Sequence, residues 1–172
     1  MPDPSLALHP VDSAPDLDAV RALCWGYRDY LLNYGPNERV ITETFYPEDQ
    51  YAHLMDRLAE EHARPTGFIL LARKDGEPVG CGMSHPLGGD ATEIKRVFVT
   101  EAARGTGAGR AICAALIDQA RADGFRRVLL DTSRNFAPAR ALYLSLGFVE
   151  RGPYQHIPQF ARDKICYFEL TL

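Results

Sequence analysis

Polar and apolar positions along this chain switch between a two-residue and a 3.6-residue rhythm, and the switches mark its elements. "SLALHPV", residues 5–11, reads as a short first strand. Asp16 then opens an amphipathic helix, with Leu17, Val20, Leu23, Cys24 and Tyr27 returning at helical spacing. Residues 35–47 hold Gly35, Pro36 and Pro47 and read as irregular. "PEDQYAHLMDRLAEEHA" predicts a second helix, with Pro47 and acids at its start. "GFILLAR" and "PVGCGMSH" predict two strands joined by "KDGE", where Asp75-Gly76 is a hairpin-turn pair. "PLGGDA" turns the chain again, and "TEIKRVFV" predicts the next strand. In "GAGRAICAALIDQARADG", Ile112, Cys113, Leu116, Ile117 and Ala120 share one helix face, with Gly124 at its end. "RRVLLDT" is a strand, and "APARALYLSLGF" a short helix with Pro138 near its start and Gly147 after its end. "FVE" starts another strand. "KICYFELTL" ends the sequence with Cys166, Phe168, Leu170 and Leu172 on one face.

The resulting order is β-α-α-β-β-β-α-β-α-β-β. Hairpins precede a β-α-β crossover, so the expected fold is a single α/β domain over residues 1–172, with a mixed central sheet flanked by helices. Neither a repeat nor a long linker interrupts it. The hydrophobic fraction of 46% suffices for a packed core. No apolar run approaches a membrane span, and "MPDPSLALHP" lacks the basic start and apolar stretch of a secretion signal. These features read as cytoplasmic. Cys24, Cys81, Cys113 and Cys166 are widely spaced and read as reduced, buried thiols. With no ligand spacing among the histidines either, no metal is expected.

A net charge of −4 argues against nucleic-acid binding. The charge is uneven, however: residues 95–127 carry seven Lys and Arg against three acids, while residues 1–65 are acidic. The basic stretch surrounds "VFVTEAARGTGAGRAI", residues 97–112, where an apolar strand runs into alternating glycines and then a helix. A helix N-terminus offers unpaired N–H groups and a positive dipole end. Without side chains at alternate positions, such a loop can wrap its donors around a phosphate. Arg104 and Arg110 bracket it. The dinucleotide pattern G-x-G-x-x-G fails, because its third glycine would fall on Arg110 or Ile112. The Walker A pattern fails for want of a G-K-[ST] triplet. The pattern R-x-x-G-x-G is satisfied by "RGTGAG", residues 104–109.

With that loop, the region from Glu93 to Phe148 resembles the acyl-CoA-binding core of the GCN5-related N-acetyltransferases. A second hallmark of that family, L-Y-x-x-x-G-F, is matched by "LYLSLGF", Leu142 to Phe148, at the family's usual separation from the loop. The hairpin "LLARKDGEPVGCG" resembles the family's second and third strands. The resemblance implies a cofactor-binding core over residues 92–148 and acetyl-CoA as co-substrate. It implies that Arg104, Gly105, Thr106, Gly107, Ala108, Gly109 and Arg110 cradle the pyrophosphate. It also implies that Val97, Phe98 and Val99 offer strand backbone to the pantetheine arm, whose amides mimic a strand edge.

The same resemblance implies two catalytic residues. Tyr143 would protonate the leaving thiolate, as a phenol can. Glu93 would deprotonate the amine through one water. Two-residue alternation puts Glu93, Lys95, Val97 and Val99 on one face. The family's asparagine seven residues before the tyrosine is Phe136 here, with Asn135 one residue off. His85, before Pro86, reads as a turn contact; Asp131, at a strand end, as a turn cap; Tyr27, Tyr30 and Tyr34 as helix packing.

The implied activity is direct acetyl transfer to an amine of a small molecule or peptide. Two alternatives stay open in the sequence: a non-catalytic acyl-CoA-binding sensor, and a transferase using another acyl donor or a hydroxyl acceptor. The acceptor pocket is expected from "NYGPNERVITETFYPED" and "GPYQHIPQFARDK". Glu43, Glu48 and Asp49 make the first acidic, and Tyr154, His156 and Phe160 make the second aromatic, which favours a cationic amine. Exposed sheet edges are compatible with a homodimer.

Overall fold

The computed structural model describes residues 5–172; residues 1–4, the start of the stretch read for a secretion signal, lie outside the described residues. The elements are β1 (Leu6–Pro10), α1 (Ala14–Tyr34), α2 (Pro36–Phe45), α3 (Glu48–Asp56), α4 (Leu58–Glu61), β2 (Phe68–Lys74), β3 (Glu77–Gly88), β4 (Ala91–Val99), α5 (Ala108–Ala122), β5 (Arg127–Ser133), α6 (Ala137–Ser145), β6 (Val149–Arg151) and β7 (Ile165–Thr171). They build a seven-stranded sheet in the order β1-β2-β3-β4-β5-β7-β6. Every neighbouring pair is antiparallel except β4 and β5.

The sheet is buried on both faces at its centre, which accounts for the unbroken apolar run of β2. Phe68, Leu70 and Ala72 face α5, with Ile112, Cys113, Leu116, Ile117 and Ala120 against them. Ile69 and Leu71 face the opposite way, onto Val20, Leu23 and Cys24 of α1 and Tyr51 and Met55 of α3. A third, smaller cluster joins Ile41 and Phe45 of α2 to Ile157, Ile165 and Tyr167. Helix α5 sits so close to β3 that a Cβ on Gly82 would lie 2.5 Å from the Ile112 Cγ2 atom. Between β2 and β3, Asp75 and Gly76 both take positive φ (51° and 86°), the two-residue turn that the Asp-Gly pair predicts. All four cysteines are free and buried.

Two readings of the chain need correction. Residues 35–47 are not irregular: Pro36 begins α2, where its missing N–H is no loss, and Pro47 precedes α3. The prolines that look like breaks are helix starts. Likewise α1 begins at Ala14, because Ser13 Oγ accepts the Asp16 N–H at 3.3 Å.

The second correction concerns β4. Cys81 of β3 pairs with Phe98, but Met83 pairs with Lys95, so two residues of β4 oppose one of β3. Arg96 absorbs the extra residue at φ 53°. This β-bulge breaks the alternation. Val97 and Val99 pack toward α5, whereas Phe98 packs toward α1. Glu93 and Lys95 therefore lie on the face opposite Val97 and Val99, not on the same face.

Candidate active site

β4 and β5 run parallel for only three residue pairs, Ala91–Arg127, Thr92–Val128 and Glu93–Leu129. Beyond them the strands part, and a cavity of about 750 Å³ occupies the fork. Val97, Phe98 and Val99 line one wall, Leu130 to Ser133 the other, and the loop after β4 closes one end.

That loop carries the glycine pattern. A 3₁₀ turn over Glu101–Ala103 follows β4, and the Thr106 hydroxyl donates to the Ala103 carbonyl at 2.6 Å. Gly105 and Gly107 take φ of 79° and 86°, which other residues rarely adopt. Among the described residues, the N–H groups of Gly105, Gly107, Ala108, Gly109 and Arg110 find no acceptor in the protein. Five unpaired donors in this loop and the first turn of α5 thus line the cavity, with the dipole favouring an anion. The Arg104 guanidinium lies 4.7 Å from the centre of the Tyr30 ring, and Arg110 donates to the Ser145 hydroxyl at 2.7 Å. The residues fit a pyrophosphate in donor set and charge.

Tyr143 comes from α6 and is buried between Phe148 and Phe168, ring centres 5.9 Å and 5.8 Å away. It lines the cavity, and its hydroxyl has no protein partner among the described residues. Burial holds its phenol well above the ordinary value, so it is a neutral O–H donor at any working pH. Phe136 also lines the cavity, against Tyr30 and Tyr34. Asn135 is turned elsewhere: its side-chain amide donates to Glu38 at 2.9 Å.

Glu93 is 2% exposed and fully engaged. One oxygen lies 2.8 Å from His85 Nε2 and accepts from Lys95 Nζ at 3.1 Å; the other accepts from the Tyr154 hydroxyl at 2.6 Å. Burial pushes this carboxyl up, but the His85, Lys95 and Tyr154 contacts outweigh it and hold the pKa at about 2. His85 is therefore a strand residue paired across the ladder with Glu93, not a turn contact. Asp131 is no turn cap either. It sits mid-strand in β5, opposite Tyr167, and faces the cavity. Its surface is exposed, yet desolvation by the surrounding protein raises its carboxyl above the usual range although Lys95 opposes this. The Tyr154 hydroxyl stands 3.5 Å from it, bridging the two carboxylates.

The remaining wall comes from α1, α2 and α3. Tyr27, Arg28, Tyr46 and Tyr51 line it together with Arg96 from the bulge. Tyr27 stacks on Phe98 at 5.4 Å, so the tyrosines of α1 pack and line the site at once. The acids expected to favour a cation are not there: Glu43, Glu48 and Asp49 are absent from the wall, and Glu43 pairs with Arg39 on the surface. Glu38, which sequence reasoning passed over, lines it instead, bound to the Ser133 hydroxyl and Asn135. Tyr154 and His156 line a second, shallower pocket on the other side of Glu93. Among the described residues no helix is long and apolar enough to cross a membrane.

Residues 36–148, well over half of the chain, match the family model described as "Acetyltransferase (GNAT) family". The chain is 39% identical over 110 residues to the IAA acetyltransferase of Azospirillum brasilense, covering 63% of this chain and 70% of that one. It is 31% identical over 157 residues to an uncharacterized N-acetyltransferase of Schizosaccharomyces pombe, covering 90% and 89%. Among solved structures, it matches a Salmonella typhimurium acetyltransferase structure with its cofactor acetyl-CoA at a TM-score of 0.66 and 20% identity, over 97% and 94% of the two chains.

Proposed function

The chain belongs to the GNAT acetyltransferase family, and from that premise we propose that it transfers an acetyl group from acetyl-CoA directly to an amine. The observation that carries this reading is the continuity of one cavity, from the free N–H donors at the start of α5, past the open edges of β4 and β5, to the Tyr143 hydroxyl. A pyrophosphate, a strand-like arm and a reacting carbonyl need those three surfaces in that order. Acetyl-CoA, when bound, supplies the acetyl carbon as a thioester whose C–S bond breaks as the C–N bond forms.

The chain's own groups do the rest. Gly105 to Arg110 hold the pyrophosphate through backbone N–H groups, with Arg104 adding charge at the rim. Val97 to Val99 present backbone to the arm, and an N–H of this strand polarises the reacting carbonyl. Tyr143 donates its proton toward the leaving sulfur.

Glu93 takes part in base catalysis as a fixed anion. A carboxyl held at about 2 does not accept a proton at neutral pH. It anchors Lys95 and Tyr154 beside Asp131, whose raised carboxyl lines the cavity and takes the amine proton.

Calorimetric titration with coenzyme A tests the cofactor half. Micromolar binding is expected, and Gly107→Glu, which places a carboxylate among the anion-binding donors, should abolish it. Absence of binding at millimolar coenzyme A would remove the basis of the proposal.

A further inference from the structure

Two guanidinium groups flank one pair of rings at the acceptor end of the cavity. Arg28 of α1 is 8% exposed; its Nε donates to the Tyr46 carbonyl at 3.0 Å, and its guanidinium carbon lies 5.9 Å from the Tyr51 ring centre. Arg96, lifted by the β-bulge, places its guanidinium carbon 6.0 Å from the Tyr46 ring centre. The two rings are themselves 6.0 Å apart, edge to face. Both arginines line the cavity.

Among the described residues, Arg28 and Arg96 make no ion pair, and Glu93 is held by His85 and Lys95. Glu93 also accepts from Tyr154; Glu38 accepts from Ser133 and Asn135 on one oxygen, while its other oxygen is buried without a partner among the described residues. Asp131, the remaining acid in the wall, has Lys95 as the cation acting on it. A guanidinium does not shed its proton to escape burial. A buried charge without a counter-ion is costly, so the buried Arg28, with the half-buried Arg96 beside it at one cavity wall, marks a place where an anion belongs. A planar guanidinium fork suits a carboxylate, which accepts parallel N–H donors from it.

We infer that the acceptor is an amine that also carries a carboxylate, as a free α-amino acid does, with the carboxylate on Arg28 and Arg96 and the amine turned toward Asp131. The inference rests on the N-acetyltransferase reading and narrows it. It also replaces the cationic amine suggested by the acidic sequence stretch with a zwitterion, since Asp131 retains a site for the positive end.

The test compares acceptors that differ in the carboxylate alone. With saturating acetyl-CoA and thiol release as the signal, the common amino acids are run against their carboxamides, and phosphoethanolamine against ethanolamine. The preferred amino acid should exceed its carboxamide in kcat/KM by about 10- to 100-fold, the range of one or two hydrogen bonds to a charged group. In Arg96→Gln, whose folding is checked by its melting temperature, that ratio should collapse toward one. An equal ratio in the wild type, a ratio that Arg96→Gln leaves intact, or a preference for phosphoethanolamine would each overturn the inference.

Should no amine be turned over, the transferase reading fails while the carboxylate site stays testable. The coenzyme A complex is then titrated with the same amino acids and carboxamides by calorimetry. Acid-selective binding lost in Arg96→Gln supports the site, and its absence overturns it.

Discussion

The Tyr154 hydroxyl and a Glu93 carboxylate oxygen lie 2.6 Å apart although 61 residues separate them in the chain. This bond ties the connection between β6 and β7 across the sheet to β4, and it brings the phenol between Glu93 and Asp131. Tyr154→Phe removes one of three donors from a buried carboxylate. The expected cost is about 1–3 kcal/mol, read by urea denaturation, because the bond is to a charged group. The acetylation rate should fall about tenfold, less than the ~100-fold or more of a lost general acid or base because the phenol acts through the carboxylates, with the KM for acetyl-CoA held. A loss of stability with no change in rate would confine Tyr154 to scaffolding.

Tyr143→Phe keeps the ring contacts with Phe148 and Phe168 and deletes the hydroxyl. We expect kcat to drop about 100-fold, the scale of a lost general acid, while coenzyme A affinity stays within about twofold. Single-turnover kinetics beside a coenzyme A titration separates the two quantities. A sensor module would bind coenzyme A and show no turnover to lose.

His62 sets the acid side of the stability profile. It is 3% exposed, and its Nδ1–H donates to the Ser84 carbonyl at 2.9 Å. Burial, only partly opposed by that bond, pulls its pKa down to about 4 from an ordinary 6.5. The unfolded chain therefore binds the extra proton first as pH falls. The stabilisation is complete above about 6.5 and is lost between there and about 4. From pH 7 to pH 5 the loss from this one group is about 2 kcal/mol. Urea midpoints at the two values should show it, and His62→Gln should flatten the slope in that window.

Gly82→Ala probes the approach of α5. The added Cβ would press on the Ile112 Cγ2 at 2.5 Å, and backbone on both sides is held by the sheet and the helix. A destabilisation of about 1–3 kcal/mol is expected for such overpacking, visible as a lower Tm. Gly88→Ala is a control of another kind: nothing lies within 4 Å of its Cβ, and any cost comes from its φ of 102°.

What the sequence made legible was local. The Asp75-Gly76 turn, the apolar face of α5 and the glycine loop each depend on residues a few positions apart, so spacing alone conveys them. The helix α2 was hidden because prolines serve equally as breaks and as first-turn residues. The bulge at Arg96 was hidden for a different reason. Nothing about an arginine announces a positive φ, and the register of β3 against β4 decides it. The acceptor wall depends on pairings such as Ser133 and Asn135 with Glu38, some 95 and 97 residues apart, which no local pattern records. One clue was present. Arg28 stands four residues after Cys24 on the otherwise apolar face of α1, and a charge at such a position asks for a reason.

The three residue pairs that join β4 to β5 have a mechanical consequence. Among the described residues they are the only ladder pairs, with the Asp90 carbonyl bonds at their end, along a seam that runs through the middle of the sheet, with β1 to β4 on one side and β5 to β7 on the other. A ligand arm that bonds to both open edges would act as a darn, supplying the missing length of fabric. Occupancy and rigidity are then one quantity. The backbone amides along the seam should exchange with solvent quickly in the free protein and slowly once the arm is in place, and the rate at which the seam reopens would bound how fast spent coenzyme leaves.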